Sequence, residues 1–372
     1  MPVTVGQVIK MMDELAPPGL AEDWDNVGLQ VGDVNQQAGR ILVALDVDER
    51  VIEEAVALKA DLIVSHHPLI FQPVKNLSFH HPLGKLVRQL IKHDLSLFSA
   101  HTNLDSAQGG INDVLAELFQ LHHIEVLAPA QEEKFFKLVV FVPAGYLDQV
   151  RQAICAAGAG WIGNYSHCTF SVLGQGTFLP LEGTNPFLGE PGKLERADEY
   201  RLETIVPEHR LNSVRRAMIK SHPYEEVAYD VYPTALEKTK QGLGRIGDLS
   251  EPMELSWLTR KVKEVLAVDV VKVIGHPEQR ISRIALCGGA GMSFLHQAKK
   301  KGAQCFITGD LKYHEGQNAV AMGMAVIDAG HYATEVVIVS RLVSRLKKTF
   351  TTRNWEIDVV ESKVNTNPWS YY

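Results

Sequence analysis

Asp61-Leu62-Ile63-Val64-Ser65-His66-His67-Pro68 is the stretch whose reading decides the fold of this chain. Its apolar run is too short for a helix and is bounded by polar residues, which predicts a buried strand ending where two imidazoles meet a proline. The same succession occurs twice more. Leu95-Ser96-Leu97-Phe98-Ser99-Ala100 runs into His101-Thr102-Asn103-Leu104-Asp105, and Met324-Ala325-Val326-Ile327-Asp328 leads to His331-Tyr332-Ala333-Thr334-Glu335. In open α/β sheets ligands collect beyond the carboxyl ends of the strands, so three such ends predict one shared crevice lined with imidazoles and carboxylates.

Working outward, apolar runs alternate with helical patterns. Ile41 to Asp46, Glu49 to Lys59, Leu62 to Ser65, Gly84 to His93 and Leu95 to Ala100 read as strand, helix, strand, helix, strand. The rhythm returns in Ile281 to Cys287, Ser293 to Lys301, Cys305 to Thr308 and Val326 to Ala329. This predicts an α/β fold, a mainly parallel sheet with flanking helices, to which both ends of the chain contribute.

The middle differs. Val142-Pro143 followed by Leu147, Val150, Arg151, Ala153 and Ile154 recurs sixty-four positions later as Val206-Pro207 followed by Leu211, Val214, Arg215, Ala217 and Met218. Each copy reads as a strand, a proline-opened helix and a second strand, expected at Tyr165 to Gly174 and at Val227 to Tyr232. A duplicated βαβ unit is the ferredoxin-like arrangement, an α+β insert expected over 129–237 within a discontinuous domain of 1–128 and 238–372. Gly183 to Lys193 reads as an exposed loop between the copies, and Leu236 to Pro252 as the path back into the first domain.

With 372 residues, 45% apolar and 22% charged, the chain can bury a full core. Cys155, Cys168, Cys287 and Cys305 form no Cys-x-x-Cys pair, which fits a reducing cytoplasm. Met1 to Leu15 has amphipathic helical spacing rather than a signal sequence, and no spanning segment is evident. A net charge of −7 argues against membrane surfaces and nucleic acid. The basic Arg341 to Lys348 stretch reads as the solvated face of a helix end.

The three strand ends offer His66, His67, Asp105, His331 and Glu335. Three imidazoles and two carboxylates exceed one tetrahedral zinc with an open position and suit two divalent ions bridged by Glu335. His331 and Glu335 stand one helical turn apart and share a face. His101 and Asn103 are expected to support that set, with His101 or His314 moving protons. Thr308-Gly309-Asp310 is expected to line the pocket. Trp24-Asp25-Asn26 offers either a grip on a planar substrate or a simple turn, and Gly288-Gly289-Ala290-Gly291 has the look of an anion cradle. His80-His81 reads as surface loop, His122-His123 as a helix end, and His222-Pro223-Tyr224-Glu225-Glu226 as a polar turn or a secondary metal site.

Ser65-His66-His67-Pro68, His101 to Asp105, the Gly288 to Gly291 turn, Thr308-Gly309-Asp310 and Gly330 to Glu335 together resemble the Nif-three-like dinuclear-metal family, the GTP cyclohydrolase 1 type 2 homologues. The resemblance implies two divalent metal ions on His66, His67, Asp105, His331 and Glu335, with zinc first and iron or manganese as alternatives. It also implies a PII/CutA-like insert and a toroidal homohexamer. A metal-dependent hydrolase follows, acting on a nucleotide-like small molecule, with the imidazole ring carbon of a guanine nucleotide as electrophile. The rival reading is a non-enzymatic regulatory or adaptor protein that signals through its insert.

Overall fold

The computed structural model describes residues 3–130, 134–163, 165–235 and 241–371. The chain divides into two compact units, Met1–Gln131 with Lys240–Tyr372, and Glu132–Thr239. The insert boundary expected at 237 and 238 lies outside the described residues.

The first unit contains two sheets, which corrects the expectation of one. The first is five-stranded, ordered Gly28–Val31, Ser96–Ser99, Leu62–Ser65, Arg40–Ala44, Asp358–Glu361, parallel except for the pair between Gly28–Val31 and Ser96–Ser99. The second is six-stranded, ordered Lys272–Ile274, Ala325–Asp328, Cys305–Thr308, Arg280–Leu286, Gly242–Glu254, His122–Pro129. Only its pairs on either side of Cys305–Thr308 are parallel. His122-His123 thus opens an edge strand instead of closing a helix. Short runs such as Leu62–Ser65 and Cys305–Thr308 are buried along their whole length, so their composition marks them as strands without saying which sheet they join.

Alternation across the pleat shows how the layers stack. Val43, Leu62, Val64 and Phe98 of one sheet and Ile284, Leu286, Ile307 and Ile327 of the other share a single core cluster. That cluster also takes the buried faces of helices Val5–Leu15, Ile111–Leu118, Leu255–Val265 and Val337–Thr352. The opposite faces, Leu42, Ile63 and Leu97 in one case and Ala285, Phe306 and Val326 in the other, carry separate clusters. Each fully buried Leu or Phe contributes about 1.5–3 kcal/mol. Local signals agree with this packing. Thr4 and Gln7 form a reciprocal capping box on the first helix, and Asp48 caps Glu49–Ala57 by accepting from the Val51 amide. Among the described residues no helix is long and apolar enough to cross a membrane.

The second unit has one antiparallel sheet, ordered Thr169–Phe178, Glu195–Pro207, Phe135–Pro143, Tyr229–Pro233. The repeated Val-Pro pairs end the two central strands. Helices Leu147–Ala156 and Glu208–Ser221 follow them and bury Val150 and Ile154, and Val214 and Met218, in one cluster.

Candidate metal centre

The site forms where strands of both sheets of the first unit run out. Ser65 and Ser99 end adjacent parallel strands, and their hydroxyls meet at 2.8 Å. The Ser65 hydroxyl also donates to the His67 carbonyl at 2.9 Å, while the His66 and His67 amides bond back to the Leu45 carbonyl. This tight exit turns two neighbouring imidazoles, which a straight strand would send to opposite faces, toward one place. After Ser96–Ser99 the chain passes His101 into the short helix Thr102–Ser106, which carries Asp105. After Ala325–Asp328, Asp328 accepts from the Gly330 amide at 3.0 Å. Gly330 adopts φ +87°, a conformation glycine takes without strain, and launches the helix His331–Glu335.

Six side chains converge. The Nε2 atoms of His67 and His331 each lie 3.0 Å from Glu335 Oε2 and 3.4 Å from one another. His66 Nε2 lies 3.9 Å from Glu335 Oε1 and 3.8 Å from Asp105 Oδ1. His101 joins His66 and His67, with ring centroids 5.1 and 5.4 Å away. Three groups can hold a metal ion: His66, His67 and His101; His67, His331 and Glu335; His66, Asp105 and Glu335.

The tautomers of these rings follow from their outer partners. His67 Nδ1 meets Asp46 at 2.7 Å, His331 Nδ1 meets Asp310 at 2.7 Å, His101 Nδ1 meets Asp25 at 2.8 Å and His66 Nδ1 meets the Ala100 carbonyl at 2.9 Å. Ionised carboxylates and carbonyls only accept, so every Nδ1 carries a proton and each ring points its Nε2 inward, as a lone pair wherever the ring is neutral. With the rings neutral, His66 Nε2, Asp105 Oδ1 and Glu335 Oε2 are buried acceptors without a donor. Such atoms cost about 1–3 kcal/mol each. Only a cation or extra protons can reconcile them, and nitrogen with carboxylate donors is the set that divalent zinc, iron or manganese takes.

The ionisation pattern has the same origin. Burial works against charging His67, yet Asp46 and Glu335 on either side push it up to about 10. Glu335 and Asp310 push His331 up to about 9 in spite of burial. Burial would raise Glu335, but the three imidazoles around it hold it well below the usual carboxylate range. Asp105 goes the other way, raised by burial and by the Glu335 charge. His66, fully enclosed, is lowered by burial. Protons thus stand where cations would bind, and cations would displace them.

Several expectations change here. His314 lies on an exposed helix face, bonded to Gln317 at 3.0 Å and edge-on to Tyr313, outside the convergent group. Asp25 is a buried support, not an open substrate contact: it accepts from Thr102 as well as facing His101, and despite burial these bonds lower it to about 2. Asn26 donates to the Ile70 carbonyl, and Asp310 is occupied with His331. Asn103 donates to the Ala16 carbonyl at 2.7 Å. Trp24 is 57% exposed and stands 5.6 Å from Phe71 and 6.0 Å from His101, an aromatic rim beside the cluster. The glycine turn is no anion cradle. The amides of Gly288, Gly289 and Gly291 already donate to Asn112, Thr334 and Thr308. Its glycines instead give room, since a Cβ on Gly289, at φ +62°, would collide with Glu335 Oε1. Sequence reasoning missed Asp46. Its signal was an aspartate just past the strand Arg40–Ala44, whose Ala44 is in register with Ser65.

Known proteins resemble the chain over its whole length. The profile of the family described as Duf34/NIF3 (NGG1p interacting factor 3) matches residues 3–368. A protein of Halalkalibacterium halodurans named GTP cyclohydrolase 1 type 2 homolog is 45% identical over 372 residues, covering 100% of both chains. One of the same name from Bacillus subtilis is 43% identical over 365 residues, covering 98% of each. The crystal structure of a Bacillus cereus protein related to NIF3 superposes with a TM-score of 0.88 at 40% identity over 100% of both chains.

Proposed function

The chain belongs to the Duf34/NIF3 family, and from its convergent donors we propose that it is a binuclear metal-dependent hydrolase similar to the GTP cyclohydrolase 1 type 2 homologues. The observation that carries this reading is the buried, donorless set of His66 Nε2, Asp105 Oδ1 and Glu335 Oε2 beside the Nε2 atoms of His67 and His331. His66 and Asp105 would hold one divalent ion and His67 and His331 the other, with Glu335 shared between them; zinc is the first candidate, then iron or manganese. When bound, such a pair lowers the pKa of water and neutralises developing oxyanion charge.

The chain's own residues support the rest. His101 is oriented by a carboxylate that stays charged, the arrangement of a proton-transfer dyad. The Trp24 and Phe71 rings give a planar base a surface to stack on, which favours a nucleotide-like substrate with the guanine ring carbon as the point of attack. The ferredoxin-like reading of the second unit is supported by its strand-helix-strand-strand-helix-strand order and antiparallel sheet. The four free cysteines suit a cytoplasmic protein. A ring of six subunits belongs to the same proposal, tested by a solution mass of about six 41.2 kDa chains.

The experiment is metal analysis and GTP turnover on one zinc-loaded preparation. About two ions per chain and opening of the guanine ring, both abolished in Glu335→Ala, are expected. Full metal content with no turnover, together with partner capture that depends on 132–239, would replace the enzyme by the adaptor reading. An absence of tight metal binding would remove both.

A further inference from the structure

The second unit holds a cavity of about 400 Å³ that the metal chemistry does not use. Its walls combine two features. Phe178, Phe187 and Tyr224 form an aromatic group, with Tyr224 5.9 Å from Phe178 and 6.0 Å from Phe187, while Tyr146 packs edge-on against Phe187 at 5.5 Å. Glu199, Glu225 and Glu226 supply carboxylates, and among the described lining residues no side chain is basic.

Glu199 is the informative member. It sits on the central strand Glu195–Pro207 with 8% of its surface exposed, and no salt bridge to it is formed among the described residues. The chain makes room for the carboxylate with Gly176, where a Cβ would collide with Glu199 Oε2. The His222 imidazole makes no hydrogen bond to it. His222 Nε2 donates to the Phe141 carbonyl at 2.9 Å, and Nδ1 accepts from the Tyr224 amide at 3.1 Å. The Tyr224 hydroxyl is buried against the Glu199 carboxylate, and burial first and that contact second push the phenol up, so it stays protonated and brings Glu199 no counter-charge. Glu225 accepts from the Asn185 amide at 3.2 Å and fixes the loop that carries Phe187.

A buried carboxylate without a cation is costly, and aromatic faces attract cations but not anions. We propose that this cavity binds a small organic cation, an ammonium or guanidinium group on an apolar body, with the charge at Glu199 and the body against Phe178, Phe187 and Tyr224. The volume lies within the range of small-molecule pockets, which favours a free metabolite over a protein side chain. The site is independent of the metal centre and stands or falls without it.

Three probes of matched shape test it on the full-length protein: phenethylammonium, 2-phenylethanol and phenylacetate, followed by ligand-observed NMR. The ammonium is expected to bind at least tenfold more tightly than the alcohol, and the carboxylate not at all. Glu199→Gln should lose at least tenfold in ammonium affinity and melt no lower than the unmodified protein, because it removes an uncompensated charge. Phe187→Ala should lose a few-fold, and Glu335→Ala nothing. Equal binding of ammonium and alcohol would reduce the site to an apolar cleft. No binding of the ammonium, or a Glu199→Gln variant that melts lower and binds as before, would make Glu199 a structural residue and overturn the proposal. A lysine-containing peptide that competes better than phenethylammonium would overturn the assignment to a free small molecule.

Discussion

The two units treat histidine in opposite ways. In the first unit His66, His67, His101 and His331 each give Nδ1 to an acceptor and leave Nε2 aimed inward. In the second, His222 commits both nitrogens to the backbone, one as donor and one as acceptor. The contrast teaches that what a buried histidine can do is decided by which nitrogen the fold leaves free, not by burial or by neighbouring histidines. His66 and His222 are almost equally enclosed, at 2% and 7% exposure, yet only His66 retains an inward lone pair.

The sharpest way to break this comparison is to remove the acceptor that the free nitrogens share. Glu335→Ala should weaken binding at both proposed metal positions by more than about 100-fold, since it exceeds the 10–100-fold expected for an outer partner. Titration of the metal-free protein with zinc, followed calorimetrically, measures this. Retention of one ion at unchanged affinity would show that Glu335 is not shared.

Asp46→Ala comes next. It leaves every inward atom in place but frees His67 to rotate and to change tautomer, so about a 10–100-fold loss is expected. Asp46→Asn should recover part of it, because the amide oxygen can still accept from Nδ1. Equal loss in both variants would mean that the charge of Asp46, and not its orienting bond, is what matters.

Gly289→Ala probes the room the site needs. The new methyl would collide with Glu335 Oε1 on a backbone at φ +62°, costing about 1–3 kcal/mol in stability and displacing the carboxylate. Thermal melting with and without zinc separates the two effects. A fall in melting temperature that zinc fully restores would show that Glu335 can move aside.

The sequence made some of this legible and hid the rest for physical reasons. His66, His67, His101, Asp105, His331 and Glu335 could be read as one crevice because each lies within a few residues of a strand's carboxyl end, and strand ends are visible as apolar runs. The partners Asp46, Asp25 and Asp310 were not legible in that role. Aspartates at turns serve many purposes, and these contacts span 21 to 76 residues. The split into two sheets was hidden because Ile63 and Phe306 look alike as interior strand residues, and only pairing assigns them to different layers. The duplicated pattern of the second unit was visible because both copies keep a proline at the same joint, whereas its cavity depends on Gly176 and Glu199 meeting across strands.

The smallest effect concerns His222 and sharpens the comparison from the other side. Burial lowers its pKa below the ordinary 6.5, and its neutral form is the one that satisfies both backbone partners. The unfolded chain therefore takes up a proton before the folded one as pH falls through 6.5. The stability His222 supplies is fully present above that pH and declines below it, toward the lowered folded value. Amide exchange of segments 135–143 and 208–221, corrected for the intrinsic pH dependence of exchange, should show protection falling as the pH drops below 6.5, the side on which linkage acts for a lowered histidine. A His222→Gln variant should lose that slope, because its amide can still bond the Phe141 carbonyl but does not titrate. If the slope persists in the variant, another group carries the pH response and His222 is only a spacer between the helix Glu208–Ser221 and the strand Tyr229–Pro233.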